Sequence, residues 1–211
     1  QKTEILAACL RKAGPAEAAV SCSLLMGQVR QGKLGVGGRL LQAIDAPPAQ
    51  QSGLALADVE TVFDRLAACA GAGSKRQRGE LLAGLYARAT GPEQRFLTRL
   101  LLGELRQGAL EGLMADAVAV AAEIEPAQVR RAAMFSGDLS RVAESALRDG
   151  TAGLATFGLQ LFQPLRPMLA QPAESLDAAL AGGDAMALEY KLDGARVQLH
   201  KLDDRVRVFT R

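Results

Sequence analysis

Apolar residues recur along most of the chain at intervals of three and four, the spacing that gathers them on one face of an α-helix. Over residues 2–13 this interval groups Ile5, Ala8 and Cys9, and the run stops at Gly14. Pro15, whose missing N–H is harmless in a first helical turn, opens a second helix that reaches about Met26. Leu56, Val59, Val62, Phe63 and Leu66 make the next stripe, which ends near Gly71. Ser74 and Gln77 have the spacing of a capping box and predict the start of a helix carrying Leu81, Leu82, Leu85 and Tyr86. Gly91-Pro92 restarts the chain into Phe96, Leu97, Leu100 and Leu101. Three further stripes follow: Leu113, Met114, Ala117, Val118 and Ala121; then Val129, Ala132 and Ala133; then Leu139, Val142, Ala143 and Leu147 before Gly150. Residues 32–38, rich in glycine, and 46–53, with two prolines, read as loops. About seven helices sharing one core are expected from this pattern.

The pattern changes near residue 150. Residues 159–168 are apolar but interrupted by Pro164 and Pro167, so no single regular element fits. Residues 175–180 suit a short helix stopped by Gly182-Gly183. Two or three runs of β character follow, at 186–191, 195–201 and 205–210. In the second, Val197, Leu199 and Lys201 alternate with Arg196, Gln198 and His200, and Asp203-Asp204 suits a hairpin turn. The expected fold is mainly α, an all-helical N-terminal domain over 1–165 followed by the first β-strands of an α+β domain over 166–211.

Composition narrows the class. With 49% hydrophobic and 23% charged residues the chain has ample material for a core, which excludes disorder over most of its length. No stretch of about 18 apolar, uncharged residues exists to span a membrane. The net charge of +2 names no partner. A local excess does stand out between Ser74 and Arg106, where Lys75, Arg76, Arg78, Arg88, Arg95, Arg99 and Arg106 outnumber Glu80, Glu93 and Glu104. Three cysteines (Cys9, Cys22, Cys69) and one histidine (His200), without C-x-x-C or H-E-x-x-H, argue against a metal held by these residues. The thiols lie in helical apolar patterns and read as buried and free, which suits a reducing, intracellular, cytoplasmic setting. His200 reads as a strand residue at a surface. The glycine loop does not follow G-x-G-x-x-G, so it reads as a turn or a close backbone approach to a partner rather than a nucleotide loop. The chain begins with Gln1, and both ends are expected to be cuts from something longer.

One string carries chemistry. Glu189-Tyr190-Lys191-Leu192-Asp193-Gly194-Ala195-Arg196 contains K-x-D-G-x-R. Its plain alternative is a strand, an Asp-Gly turn and a second strand with both basic residues in solvent. A lysine beside a glycine turn can also project into a cleft as a nucleophile. With an ordinary pKa of about 10.4 it is almost wholly protonated at neutral pH, and burial or neighbouring cations must lower that value. An adjacent arginine such as Arg196, with a divalent cation, would do so while neutralising phosphate oxygens, and attack on phosphorus would then give a phosphoramidate.

K-x-D-G-x-R resembles the signature of the covalent nucleotidyltransferases: ATP-dependent DNA ligases, RNA ligases and mRNA capping enzymes. The resemblance implies that Lys191 attacks the α-phosphate, releases pyrophosphate and carries the nucleotide. It implies that Glu189 contacts the adenine amino group and that Arg196 marks the ATP-using branch. The run 205–211, R-V-R-V-F-T-R, is similar to the next motif of the family, which puts Arg211 on phosphate or ribose.

Upstream, residues 93–108 (E-Q-R-F-L-T-R-L-L-L-G-E-L-R-Q-G) resemble a stretch of the helical DNA-binding domain of ATP-dependent DNA ligases, E-x-x-F/Y-L-x-R-L-L-x-G-x-L-R-x-G. Residues 31–37 resemble a loop of the same domain. Capping enzymes and most RNA ligases carry no such domain. The cationic stretch is thereby reread as a surface facing nicked duplex DNA, with Arg95, Arg99, Gly103, Arg106 and Gly108 as candidate DNA-binding residues.

The implied activity is nick sealing through a lysyl-AMP intermediate with ATP and Mg²⁺, in replication, repair or recombination near the bacterial nucleoid. The family's metal-binding carboxylates and its OB-fold domain would lie beyond Arg211, so this chain alone is expected neither to adenylylate Lys191 efficiently nor to join DNA. The alternatives are another covalent nucleotidyltransferase, or a helical DNA-binding module without catalysis.

Overall fold

The computed structural model describes residues 1–105, 111–166, 173–181, 189–190 and 193–210. Among them are nine helices and one two-stranded antiparallel sheet. No helix among the described residues is long and apolar enough to cross a membrane.

Helix α1 (Lys2–Leu25) is two helices joined at a kink, with Gly14 at φ 71° and ψ 176° and Pro15 just beyond it. The break falls where the sequence places it, but the buried face of the first segment is the other one. Leu6, Ala7 and Leu10 are buried, whereas Ile5 is 65% exposed and Cys9 lies in solvent. Leu6 and Leu10 are also four residues apart, and two buried leucines remove more apolar area from water than Ile5 with Ala8 and Cys9 would. Of the three thiols only Cys22 and Cys69 are buried as expected, and burial pushes the Cys22 thiol up to about 12.

Then come α2 (Gly38–Gln42), α3 (Leu56–Ala68), α4 (Ser74–Arg88) and α5 (Gly91–Leu101), followed by α6 (Glu111–Ala122), α7 (Pro126–Ser136) and α8 (Leu139–Ala155). The predicted stripes of α3 to α8 are the buried ones, for example Phe63 and Leu66, Leu82 and Leu85, Leu97 and Leu100, and Val142 and Ala143. Two ends differ from expectation. Gly73 (φ 83°) is the N-cap of α4, so Ser74 is already helical and makes no capping box; its hydroxyl accepts from Arg78 Nη1 at 3.3 Å. Helix α8 does not stop at Gly150 but kinks there and gains a last turn, with Gly153 packed against the Ser145 carbonyl.

The apolar residues form two clusters rather than one core. One joins Leu6, Leu10 and Cys22 to Met114, Val118, Val129 and Val142, that is α1 with α6, α7 and α8. The other gathers Leu34, Leu41, Phe63, Leu66, Leu82, Leu85, Leu97 and Leu100 around α3, α4 and α5. The second half of α1 belongs to both, through Cys22 on one side and Val20 and Leu24 on the other. A buried hydroxyl pair, Ser23 with Ser140 at 2.6 Å, ties α1 to α8.

Residues 157–166 form neither helix nor strand. A short helix, α9 (Leu176–Leu180), is capped by Ser175, whose hydroxyl accepts from Ala178 N at 3.1 Å. Strands β1 (Val197–Leu202) and β2 (Arg205–Thr210) pair with Leu199 opposite Val208, and Asp203-Asp204 turns the hairpin as the sequence predicts, with Asp203 at φ 49°. The predicted run at 186–191 falls outside the described residues except for Glu189 and Tyr190, which are exposed and in no strand.

Segment 157–166 is held from both sides. Gln163 Nε2 donates to the carbonyls of Phe135 (2.8 Å) and Ser136 (2.7 Å) at the end of α7, and Arg166 pairs with Glu111 on α6. From the hairpin, the Gln198 amide exchanges two hydrogen bonds with the Leu165 backbone, and Phe162 N donates to His200 Nδ1 at 2.8 Å. The acceptor role of Nδ1 leaves any proton of the neutral ring on Nε2. His200 also lies edge-on to Phe209 at 4.9 Å, a structural use of the one histidine.

Candidate functional site

The motif region is sparse among the described residues. Lys191, Arg211, Arg106 and Gly108 lie outside them. Glu189 and Arg196 are exposed. Arg196 leads into β1 and lines an open cavity of about 410 Å³ with Arg166, Gln198, Phe209 and Thr210. The cavity lies where segment 157–166 meets the hairpin; of its two guanidinium groups Arg166 is paired with Glu111, which leaves Arg196 as the one suited to meet phosphate oxygens. No group of three or more His, Cys, Asp or Glu side chains among the described residues could hold a metal ion.

The cationic stretch is better defined, and its members divide. Arg88 on α4 donates to Asp58 (2.6 Å) and to the Gly53 carbonyl (3.2 Å). Its hydrogen bond, with one from Ala55 N, holds the Asp58 carboxyl below its ordinary range. Arg76 pairs with Glu80 at 3.5 Å. Arg78 Nη2 donates to the Cys69 carbonyl at 2.5 Å. These three are engaged by the protein itself. Lys75, Arg95 and Arg99 are exposed and form no salt bridge among the described residues. Arg95 and Arg99 lie four residues apart on one face of α5.

Local structure explains much of the 93–108 string. The Glu93 carboxylate accepts from Ser52 Oγ (2.5 Å), Thr90 N (2.8 Å) and Thr90 Oγ1 (2.8 Å), which fastens loop 46–53 to the start of α5. The Ser52 bond foremost, then those of Thr90, lower its pKa. Leu97 and Leu100 are core residues. Gly103 (φ 70°) ends the helix: its N–H donates to Leu100 O at 3.0 Å and Glu104 N to Arg99 O at 2.8 Å, a Schellman arrangement that needs the left-handed conformation. Arg99 Nη2 leans toward Glu104 O at 3.4 Å, beside this turn.

The same turn meets the glycine loop. Residues 32–36 and 100–103 line one open cavity of about 470 Å³. On the loop's other flank Gly35, Gly37, Gly38 and Arg39 share a hollow of about 360 Å³ with Lys75 and Arg78 of α4. Lys33, Arg39 and Lys75 are exposed around the loop. Sequence reasoning left Lys33 and Arg39 out of the candidate list; the signal available was their place within and beside the resembling loop 31–37. The geometry thus sets exposed cations around the glycine loop and beside the Gly103 turn, a surface able to meet phosphates without reading bases.

Comparison with known proteins gives this geometry its context. Residues 36–119 match the family model described as DNA ligase N terminus, and residues 167–211 match the ATP dependent DNA ligase domain. The chain belongs to the ATP-dependent DNA ligase family. Among similar curated proteins, a probable DNA ligase of Nocardia farcinica is 51% identical over the whole chain. One of Anaeromyxobacter sp. (strain Fw109-5) is 52% identical and one of Saccharopolyspora erythraea 49%, both again over the whole chain. The chain spans about 40% of the length of these relatives.

Proposed function

We propose that this chain is the DNA-holding part and the opening of the nucleotide-transfer part of an enzyme that seals nicks in duplex DNA with ATP. The division falls near residue 165, within the segment tied to α7 on one side and to β1 on the other. The observation that carries the reading is the K-x-D-G-x-R string at 191–196 lying within the match to the ATP dependent DNA ligase domain. In this reading Lys191 Nζ, once deprotonated, attacks the α-phosphorus of ATP. A P–N bond forms and the bond to pyrophosphate breaks. The resulting lysyl-AMP gives its AMP to the 5′-phosphate of the nick, and the 3′-hydroxyl then displaces AMP to close the strand. Arg196, Glu189 and Arg211 serve the nucleotide: the arginines meet phosphate or ribose oxygens and Glu189 the adenine amino group. A divalent cation such as Mg²⁺ would add charge stabilisation.

The exposed cations Lys33, Arg39, Lys75, Arg95 and Arg99, with Arg106 and the backbone around Gly103 and Gly108, form the proposed duplex surface. Binding there is electrostatic and independent of base sequence, and its affinity falls steeply with salt.

The test uses the full-length protein with ATP labelled at the α-phosphate and a nicked duplex. The wild type is expected to form an acid-labile adenylylated species and sealed product, and Lys191→Ala neither. Sealing by Lys191→Ala overturns the proposal. A second arm measures duplex affinity of this chain. Arg99→Ala is expected to weaken binding, whereas Lys191→Ala leaves it unchanged.

A further inference from the structure

Arg78 sits in the middle of the cationic run yet is turned inward. Nη2 donates to the Cys69 carbonyl just past α3 (2.5 Å), and Nη1 to Ser74 Oγ on its own helix (3.3 Å). Nε is buried without a hydrogen-bond partner. The face of the guanidinium is occupied by the glycine loop: a Cβ built on Gly35 would lie 2.9 Å from Arg78 Cζ and 3.0 Å from Nε. Gly35 also has φ +66°, which strains any side chain at this position, and a Cβ there would press on the guanidinium and force Arg78 to shift. The remainder of the loop is pinned as well. Arg30 pairs with Glu60 (2.8 Å) and Gln31 Nε2 donates to Asp64 (2.8 Å), both on α3, while Leu34 is buried in the second cluster. Arg78 is the tie from α4, and it grips the loop between exposed Lys33 and exposed Arg39, one turn from Lys75.

We propose that Arg78 is a positioning residue: its guanidinium, stacked on Gly35 and anchored to Cys69, fixes the glycine loop over α4 and so sets the spacing of Lys33, Arg39 and Lys75 toward the DNA backbone, without touching phosphate itself. This rests on the duplex-binding reading above. A lysine cannot replace it, because the task needs a planar group with donors in a fixed fork rather than a point charge.

The experiment takes this chain through two independent measurements: amide hydrogen exchange of residues 32–38 without DNA, and duplex affinity across a salt series. Arg78→Gln and Arg78→Lys are expected to speed exchange at 32–38 alone and to weaken duplex binding by roughly tenfold, with the slope of log affinity against log salt kept. Gly35→Ala, which pushes on the same contact from the other side, is expected to reproduce both effects. Lys75→Ala is the contrast: exchange unchanged, slope shallower by about one. The proposal is overturned if Arg78→Gln lowers the slope as Lys75→Ala does, if exchange at 32–38 stays at the wild-type rate, or if exchange rises throughout the chain, which would mark a general folding role. Should the wild type not bind duplex, the DNA reading fails while the exchange data still decide whether Arg78 positions the loop.

Discussion

The helical body and the C-terminal hairpin are held in place by different physics. Among the described residues, every buried hydrophobic one lies at or before Leu154. In the hairpin, by contrast, Val197, Leu199, Leu202, Val206 and Val208 are each at least half exposed. What fastens β1 is polar: the Gln198 amide on the Leu165 backbone and the His200 ring under Phe162 N, with the Arg205 guanidinium 4.1 Å over the Phe162 ring. Apolar burial is worth about 25 cal/mol per Å² and hardly depends on direction, so the body can set its own shape. Each hydrogen bond nets only about 1 kcal/mol, yet it fixes direction closely. The contrast teaches that the body can supply stability, and that the hairpin's place relative to it is set by a few replaceable bonds.

Breaking the body should cost most. Phe63 is wholly buried in the second cluster, and Phe63→Ala is expected to destabilise the chain by about 3–5 kcal/mol in chemical denaturation. The loss should also shake the glycine loop, since Leu34 belongs to the same cluster. A loss below about 1 kcal/mol would mean that the second cluster is not the cooperative unit described above.

Glu93 comes next. Its three hydrogen bonds serve the N-terminus of α5, so Glu93→Gln is expected to cost about 1 kcal/mol at neutral pH. The sign of its pH dependence follows from the lowered pKa. The folded state holds this proton less tightly than the unfolded chain does, so the contribution is present above the ordinary glutamate value and is lost as pH falls through the depressed one. Melting temperatures of wild type and Glu93→Gln should therefore converge on acidification. A gap that stays constant from neutral to acid pH would show that the carboxylate charge is not what matters.

These two residues also show what the sequence makes legible. The stripe containing Phe63 and the stripe Leu97–Leu100 are readable because helical burial repeats locally, and the residues that meet the core are those the interval names. Where two intervals compete, as at Ile5 against Leu6, local spacing cannot choose, because the packing partners are on α6 and α8 more than a hundred residues away. The division of the cations was equally hidden. The resemblance of 93–108 sets Arg99 apart from Arg88, but nothing in the string shows that Arg88 is engaged by Asp58, thirty residues upstream. The role of Arg78 needed the Gly35 contact to be seen. The K-x-D-G-x-R string was legible as a string because its chemistry is local, whereas Lys191 itself lies outside the described residues.

The hairpin's polar ties offer a sharper cut with a smaller global effect. Gln198→Leu together with His200→Ala removes the side-chain partners of Phe162 and Leu165 while leaving the apolar clusters whole. Limited proteolysis of segment 157–166 is expected to accelerate several-fold, with the melting temperature of the body unchanged. If proteolysis does not change, the hairpin is held by something other than these bonds. If the body melts earlier, the two regions are one cooperative unit and the contrast drawn above is false.

The smallest effect should come from the hairpin's open face. Val208 is 57% exposed and stands opposite Leu199, itself 63% exposed, so truncation removes little area that folding had hidden. Val208→Ala should change stability by less than about 0.5 kcal/mol in this chain. In the full-length protein the same substitution measures something else. A loss there of about 1–2 kcal/mol, the cost of truncating a valine packed on both sides, would mean that further chain covers this face and that the hairpin gains there the apolar burial it lacks among the described residues. A loss no larger than in the present chain would leave its polar ties as the main anchor in the complete enzyme as well.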